Sequence, residues 1–469
     1  MSWAFLISAA LLAFHTSAAL LAFRAIRTAR TPQGAVGWTV FLLALPYLGV
    51  PAYLILGDFN YPGMIEARRL SEQVPSPPAT GTAAQMPAES ARMRHGYEAI
   101  AGRATVAGNA VGLLTAGEEV FETLFAAIRA AERYVLVETY ILRDDGLGRA
   151  LQELLIAKAR AGLRVCVLYD PFGSYGLDRA YVAQMRAAGV EVMNFHARHP
   201  PRRLAPLRLN FRNHRKIAVI DGKTGFTGGY NIGDEYVGRN PRLGDWRDTM
   251  LRLEGPVVAQ LQLHFAADWH WATGERLDLD WAPAPVAGGL PALVLASGPS
   301  DRNEPGTLYF QHAITGATKR IWIASPYFAP DTGLMRALGL AALRGVDVRV
   351  IMAGKRDHWL VWLAAFAFLD AMRESGVKFY RFGPGFMHQK VVLIDDMIAG
   401  VGSHNLDSRS CRLNFEASAL VFDRGFAGEV TAMLERDFAR AEPWDRPLAQ
   451  APLALRIAAP VARLFAPIL

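Results

Sequence analysis

The pattern of apolar and polar positions divides this chain of 469 residues into an apolar front, a polar connector and a long body of alternating short elements. Residues 1–23 contain no Asp, Glu, Lys or Arg, and residues 35–57 repeat that pattern with Pro46 and Pro51 inside the run. Each run is long enough to cross about 30 Å of hydrocarbon as a helix. A short turn carrying Arg24, Arg27 and Arg30 separates them. Residues 1–57 therefore predict a transmembrane helical hairpin. A cleavable signal peptide competes for the first run, but that run lacks a positively charged n-region and a second apolar run follows it. Three arginines in the turn against Arg68 and Arg69 after the second run lean toward a cytoplasmic turn, but a margin of one charge leaves the face that carries the body open.

Residues 58–104 read as a linker, with Pro, Ala, Ser and Gly dominating from about 74 to 92. From residue 105 the pattern changes to short apolar strands and amphipathic helices, and it does so twice. The first series runs Arg133–Tyr140, a helical segment around Leu151, then Gly162–Asp170. The second runs Arg320–Tyr327, a helical segment around Leu338, then Gly345–Ile351. Strand, helix, strand in each series predicts βαβ units and a largely parallel sheet in an α/β fold. Sites in such sheets lie at strand C-terminal ends, which places Glu138-Thr139-Tyr140 and Ser325-Pro326-Tyr327 near a cleft. The expected halves are 105–290 and 291–440, meeting about a pseudo-twofold axis, with an apolar C-terminal segment over 441–469. The uncharged run from Trp359 to Phe368 is too short to span a bilayer; it reads as a core helix or a bilayer-facing element. The C-terminal run from Leu453 reads as an interfacial segment.

The duplication is sharpest around one short string. His214-Arg215-Lys216 is followed by apolar residues up to Asp221, and His388-Gln389-Lys390 is followed by apolar residues up to Asp395, at a constant spacing of 174 residues. Gly228 and Asn231 recur as Gly402 and Asn405 at that spacing. The apolar, β-branched stretch in each copy reads as a buried strand, along which His and Lys share a face. Two such copies suit chemistry at phosphorus. One imidazole attacks, the other acts as general acid and then general base, and the lysines and asparagines stabilise the phosphorane oxygens without a metal. The residues alone do not choose which imidazole attacks.

Net charge and cysteine usage narrow this further. A net charge of +7 and a pI near 9.4 suggest an anionic partner. Arg198, Arg202, Arg203, Arg208, Arg212 and Arg215 crowd before and into the first copy, interleaved with Pro, Leu and Phe211, as a mouth for anionic amphiphiles would require. Cys166 and Cys411 stand alone, without the spacing of a disulfide framework or a zinc site.

These motifs resemble the phospholipase D superfamily, whose signature is His-x-Lys-x4-Asp followed by Gly-Gly or Gly-Ser and then Asn. The stretches Gly228–Tyr236 with Trp246-Arg247-Asp248, and Gly402–Ser410 with Leu413–Glu416, look like those of bacterial cardiolipin synthases, over about residue 35 to the C-terminus. The resemblance implies two phospholipase D-like αβ halves about the pseudo-twofold axis. It implies His214, Lys216, Asp221, His388, Lys390 and Asp395 as the catalytic set, with both aspartates leaning toward a structural role, and His214 as the attacking group. Asn231 and Asn405 would bind the phosphate. Asp248 and Glu416, grouped with them at the substrate site, would orient the imidazoles. Gln389, where the family usually has a small residue, and His404 depart from its pattern. The implied reaction joins two phosphatidylglycerols into cardiolipin and releases glycerol, in a multi-pass inner-membrane protein. No cofactor, metal, nucleic acid or protein partner is implied. A membrane-bound phospholipase D that hydrolyses the diester is the alternative. The apolar front argues against a soluble nuclease, and two intact His/Lys pairs argue against a binding protein with a dead site.

Overall fold

The computed structural model describes residues 3–29, 32–57, 88–197, 211–301 and 303–466. Two compact units result: Met1–Pro62 with His199–Phe211, and Gly63–Arg198 with Arg212–Leu469.

In the first unit, Trp3–Thr28 is one helix of 26 residues, long and apolar enough to cross a membrane. The second apolar run is not one helix. It forms Pro32–Ala44 and Pro46–Leu56, broken at Leu45, whose φ of −133° and ψ of 62° lie outside the helical region. Pro46 causes the break, because its ring disfavours helical geometry in the residue before it. The expectation of two continuous spans is corrected accordingly: Trp3–Thr28 alone passes as an unbroken span among the described residues. The helices share a small core of Ala18, Ala22, Ala25, Leu42, Val50 and Tyr53. Phe5, Leu12, Leu20, Leu48 and other large apolar side chains point outward, as a lipid-facing surface would.

In the second unit each half lays its strands in one order. The first half runs Val106–Leu114, Met250–Glu254, Thr224–Gly228, Ile217–Ile220, Tyr134–Thr139, Arg164–Tyr169 and Glu191–Asn194 across the sheet. The second repeats it with Leu290–Ser297, Asn414–Val421, Ile398–Gly402, Val391–Ile394, Arg320–Ala324, Asp347–Ala353 and Lys378–Phe382. Val106–Leu114 and Leu290–Ser297 pair antiparallel, so one sheet passes through the pseudo-twofold axis. Buried Asn109 fastens this seam, donating from Nδ2 to the carbonyls of Val106 (2.7 Å) and Leu290 (2.8 Å).

The sheet is less parallel than the βαβ pattern suggests. Among the strands just named, only the outer three of each half run parallel, joined by crossover helices such as Gly146–Arg160 and Thr332–Leu343. Asp145 and Asp331 cap those helices, accepting from the backbone amides of Gly148 and Leu334, each worth about 1 kcal/mol. The motif strands instead fold back as hairpins, because Asp221 (φ 54°) and Asp395 (φ 51°) turn the chain at their ends. Everything between those hairpins and the axis is antiparallel.

Two segments expected at the edges belong to this body. Ala88–Ala101, inside the presumed linker, is a helix. It buries Met93 and Tyr97 in the second half's core, and the Met93 carbonyl lies 2.8 Å from His312 Nε2. The linker is thereby shortened, and residues 58–87 lie outside the described residues. After residue 440, Ala441–Pro443 adds a strand to Lys378–Phe382, and Leu453–Arg463 is a helix whose Arg463 lies over Phe368 at 4.8 Å. Trp359–Met372 is the core helix expected by default, burying Ala364, Phe368, Leu369 and Met372 while its first residues stay exposed.

Candidate active site

Both His-x-Lys triplets lie just before their apolar strands, Ile217–Ile220 and Val391–Ile394, and the residue before each histidine belongs to a two-residue strand. Those short strands pair across the axis. Arg212–Asn213 runs parallel to the start of Asn414–Val421, and Phe386–Met387 runs parallel to Trp246–Arg247. The histidine amides continue the ladders, His214 N–H donating to Phe415 O (2.9 Å) and His388 N–H to Arg247 O (2.8 Å). One residue further along each partner strand stands a carboxylate. Glu416 therefore meets His214 Nδ1 at 2.9 Å, and Asp248 meets His388 Nδ1 at 2.7 Å. The half-sites are completed in trans: each imidazole is held by an acid from the opposite half.

A carboxylate accepts only, so each Nδ1 carries the hydrogen and each Nε2 presents its lone pair. Burial pushes both imidazoles down to about 4, with the neighbouring carboxylates opposing the shift, so both are neutral near pH 7. Burial would raise Glu416 and Asp248, but the hydrogen-bonded histidines and the neighbouring lysines outweigh it and hold both carboxyls below their ordinary values. Lys216 and Lys390 are buried beside them, donating to the carbonyl oxygens of His214 and His388. Burial lowers their amines to about 7 and about 8. His214, His388, Asn231 and Asn405 line one cleft of about 600 Å³. Two neutral nucleophilic nitrogens and two amides on one cleft, with two buried amines beside the histidines, can exchange groups on a phosphate.

A family model described as "Cardiolipin synthase, PLD-like domain" matches residues 124–269 and 310–440, one match per half. A second, "Phospholipase_D-nuclease N-terminal", matches residues 18–57. Cardiolipin synthase A of Pseudomonas aeruginosa is 44% identical over 461 residues, covering 96% of this chain and 93% of its own. Its namesake from Pseudomonas entomophila is 44% identical over 436 residues, 91% of each chain. The chain belongs to the cardiolipin synthase family of phospholipase D-like proteins. The phosphatidylserine synthase of Haemophilus influenzae shares the fold, with a TM-score of 0.59 at 15% identity, over 81% of this chain and 100% of that one.

Within this family frame, several expected residues take other positions. Asp221 and Asp395 stand at the far end of the motif strands, five residues beyond the lysines. Asp221 accepts from the amides of Glu132, Arg133 and Tyr134, and Asp395 from those of Thr318, Lys319 and Arg320. They anchor the entry of the neighbouring strand. Asp248 and Glu416 face the imidazoles and do not line the cleft. Asn231 is itself held, donating to Tyr236 Oη (3.0 Å) and accepting from the Ile141 amide (3.1 Å), whereas Asn405 Oδ1 is buried without a partner.

Both departures from the family pattern have a structural account. The middle residue of each His-x-Lys points to the opposite face, as alternation requires. There Arg215 pairs with Asp268 of helix Val257–Thr273, and Gln389 donates to Asp437 of helix Arg424–Ala439 (2.8 Å). Buried His404 bridges the hydroxyls of Ser297 (2.9 Å) and Ser418 (2.8 Å). Sequence reading passed over two aromatic walls. Tyr140, expected near the cleft but given no role there, packs on His214 at 4.9 Å, and Trp246 packs on His388 at 5.1 Å. Of the basic stretch before the first motif, Arg212 lines the cleft and Arg215 is buried in its network. Arg198, Arg202, Arg203 and Arg208 lie outside the described residues.

Proposed function

We propose that this chain is a phosphatidyltransferase that condenses two phosphatidylglycerols into cardiolipin and releases glycerol through a phosphohistidine intermediate. The crossed imidazole–carboxylate pairs in one cleft are the observation that supports it. One imidazole Nε2 attacks phosphorus while the other protonates the departing glycerol oxygen. The entering anionic phosphate raises the pKa of that second imidazole from its empty-site value, making it an effective acid. In the second step the same imidazole takes the proton from the hydroxyl of the second lipid, which displaces the histidine. One phosphodiester replaces another, so the exchange needs no nucleotide. Lys216 and Lys390 carry the charge that stabilises the phosphorane, assisted by the amides of Asn231 and Asn405.

The membrane is the proposed partner and the inner membrane the proposed location. Trp3–Thr28 would span it, and the proline-broken second run would complete the hairpin. In the second unit, Trp359 and Leu360 stand exposed at the cleft, and Leu453, Ile457, Val461 and Leu464 are exposed along the C-terminal helix. Such side chains suit insertion at the headgroup boundary.

Mass spectrometry of the lipids formed by the purified protein in phosphatidylglycerol vesicles tests the reading. Cardiolipin and glycerol in equal amounts support it. Phosphatidic acid in place of cardiolipin would make the protein a hydrolase.

A further inference from the structure

Cardiolipin holds two phosphates joined by one glycerol, so the second transfer step brings two phosphates into one cleft, three carbons apart. The duplicated His, Lys and Asn are arranged symmetrically and suit a single phosphate near the axis. The other phosphate must lie to one side, and whatever receives it must break the symmetry of the halves. Among the described residues three arginines line the cleft; Arg143 faces Glu235, and the candidates for this role are Arg212 and Arg409. Arg212, two residues before His214, corresponds at the repeat spacing of 174 to Phe386. Arg409, four residues after Asn405, corresponds to Glu235. The scaffold around them is repeated, since Arg212–Asn213 and Phe386–Met387 are matching two-residue strands, each paired to the opposite half.

The two flanks differ accordingly. On one, Phe386 packs 4.9 Å from Trp246 and 6.0 Å from His388, and Glu235 faces Arg143 at 3.8 Å. Asp357, also on the cleft wall, accepts from the Tyr327 hydroxyl. On the other, Arg212 lies over the ring of Phe172 at 4.0 Å, with its Nη1 buried and without an acceptor. Arg409 lines the same cleft, where burial first and the Arg212 charge second hold its guanidinium below the ordinary arginine value. Asp170 and Asp407 stand near enough to offset part of the positive charge, while their own hydrogen bonds come from backbone: Asp170 accepts from the amides of Asn213 and Phe172, and Asp407 accepts from the Ser410 amide as the cap of helix Ser408–Arg412. Two cations held together at a cleft wall, one with an unused donor, form an anion seat, and guanidinium geometry matches phosphate oxygens.

We propose that Arg212 and Arg409 form a second anion subsite that receives the phosphate of the acceptor lipid, whose glycerol hydroxyl attacks the phosphohistidine. The inference rests on the transferase reading above and adds to it a reason for an anionic acceptor: a neutral alcohol leaves the seat empty.

The test compares two reactions that share the donor step. Cardiolipin formation uses phosphatidylglycerol as acceptor, whereas exchange of labelled glycerol into phosphatidylglycerol uses a neutral one. Arg212→Gln and Arg409→Gln should each lower cardiolipin formation about tenfold or more, the loss expected for a charge-assisted hydrogen bond. Glycerol exchange should fall by less than about threefold, and Arg212→Lys should recover part of the cardiolipin rate. Lys216→Met should lower both reactions together. Parallel loss of both in the arginine variants would place the pair on the donor phosphate or in folding and overturn the subsite, as would no loss in either. A wild type that makes phosphatidic acid alone would fail the transferase reading itself and remove the second phosphate on which the subsite depends.

Discussion

Glu416→Gln is the sharpest probe of the crossed site, because it alters the second half to disable the first half's histidine. Glu416 is completely buried, and one of its oxygens lies 2.9 Å from His214 Nδ1 while the other accepts from Ser410 Oγ (2.8 Å) and Asn414 Nδ2 (3.1 Å). Glutamine keeps the volume and some of the hydrogen bonding but loses the charge, and its amide can present a donor to Nδ1. The imidazole then loses the partner that fixes its tautomer and stabilises it when it becomes cationic. A charge-assisted bond of this kind, fully desolvated, contributes about 3 kcal/mol, which is about 150-fold in rate. The assay is turnover of phosphatidylglycerol to cardiolipin in mixed micelles, for Glu416→Gln, His214→Ala and the double variant. The Gln change should lower turnover by about two orders of magnitude in the wild-type background and by little in the His214→Ala background, because the carboxylate acts through that imidazole. Glu416→Gln within about threefold of wild type would refute the crossed orientation. Equal losses in both backgrounds would show that Glu416 acts on something other than His214.

Four further outcomes follow from the same geometry. His214→Ala and His388→Ala should each lower turnover by about a thousandfold or more, with the double variant little worse, since both act on one phosphorus; losses that add in log rate would mean two independent sites. The pH profile of kcat/KM should fall on the alkaline side as the pH rises through about 7 to 8, where Lys216 and Lys390 lose their charge, and on the acid side as it falls through about 4, where the imidazoles gain theirs; a flat rate to pH 10 would remove the lysines from phosphate binding. Asp221→Ala should lower stability by about 2 to 4 kcal/mol in a thermal melt, since three strand-entry amides lose their acceptor, while the folded protein keeps most of its turnover; full stability with no activity would return Asp221 to the catalytic set. Removing residues 1–57 should leave activity on detergent-dispersed phosphatidylglycerol and weaken it on vesicles, read by turnover in each. A folded but inactive truncation would make the apolar front part of the site.

The sequence by itself determined the duplication, the pairing of His214 with His388 and of Lys216 with Lys390, and the apolar front. Each of these is written in local order: a motif of eight residues, a strand of alternating faces, or a run without charge. The family resemblance also pointed to Glu416 and Asp248 as acids that orient the imidazoles, without saying which histidine each one holds. Only the tertiary structure decided that they serve the opposite halves, because the short strands at Arg212 and Phe386 pair across the axis with segments far away in sequence. Pairing of that kind leaves no periodicity to read. The same holds for the turn at Asp221 and Asp395: the residues are visible in the motif, but the amides they hold come from a strand about 90 and 75 positions earlier. The helix Ala88–Ala101 was hidden for a further reason. Its mixed polar surface gives little amphipathic signal, and it is fixed by burying Met93 and Tyr97 against a core that its own sequence does not contain.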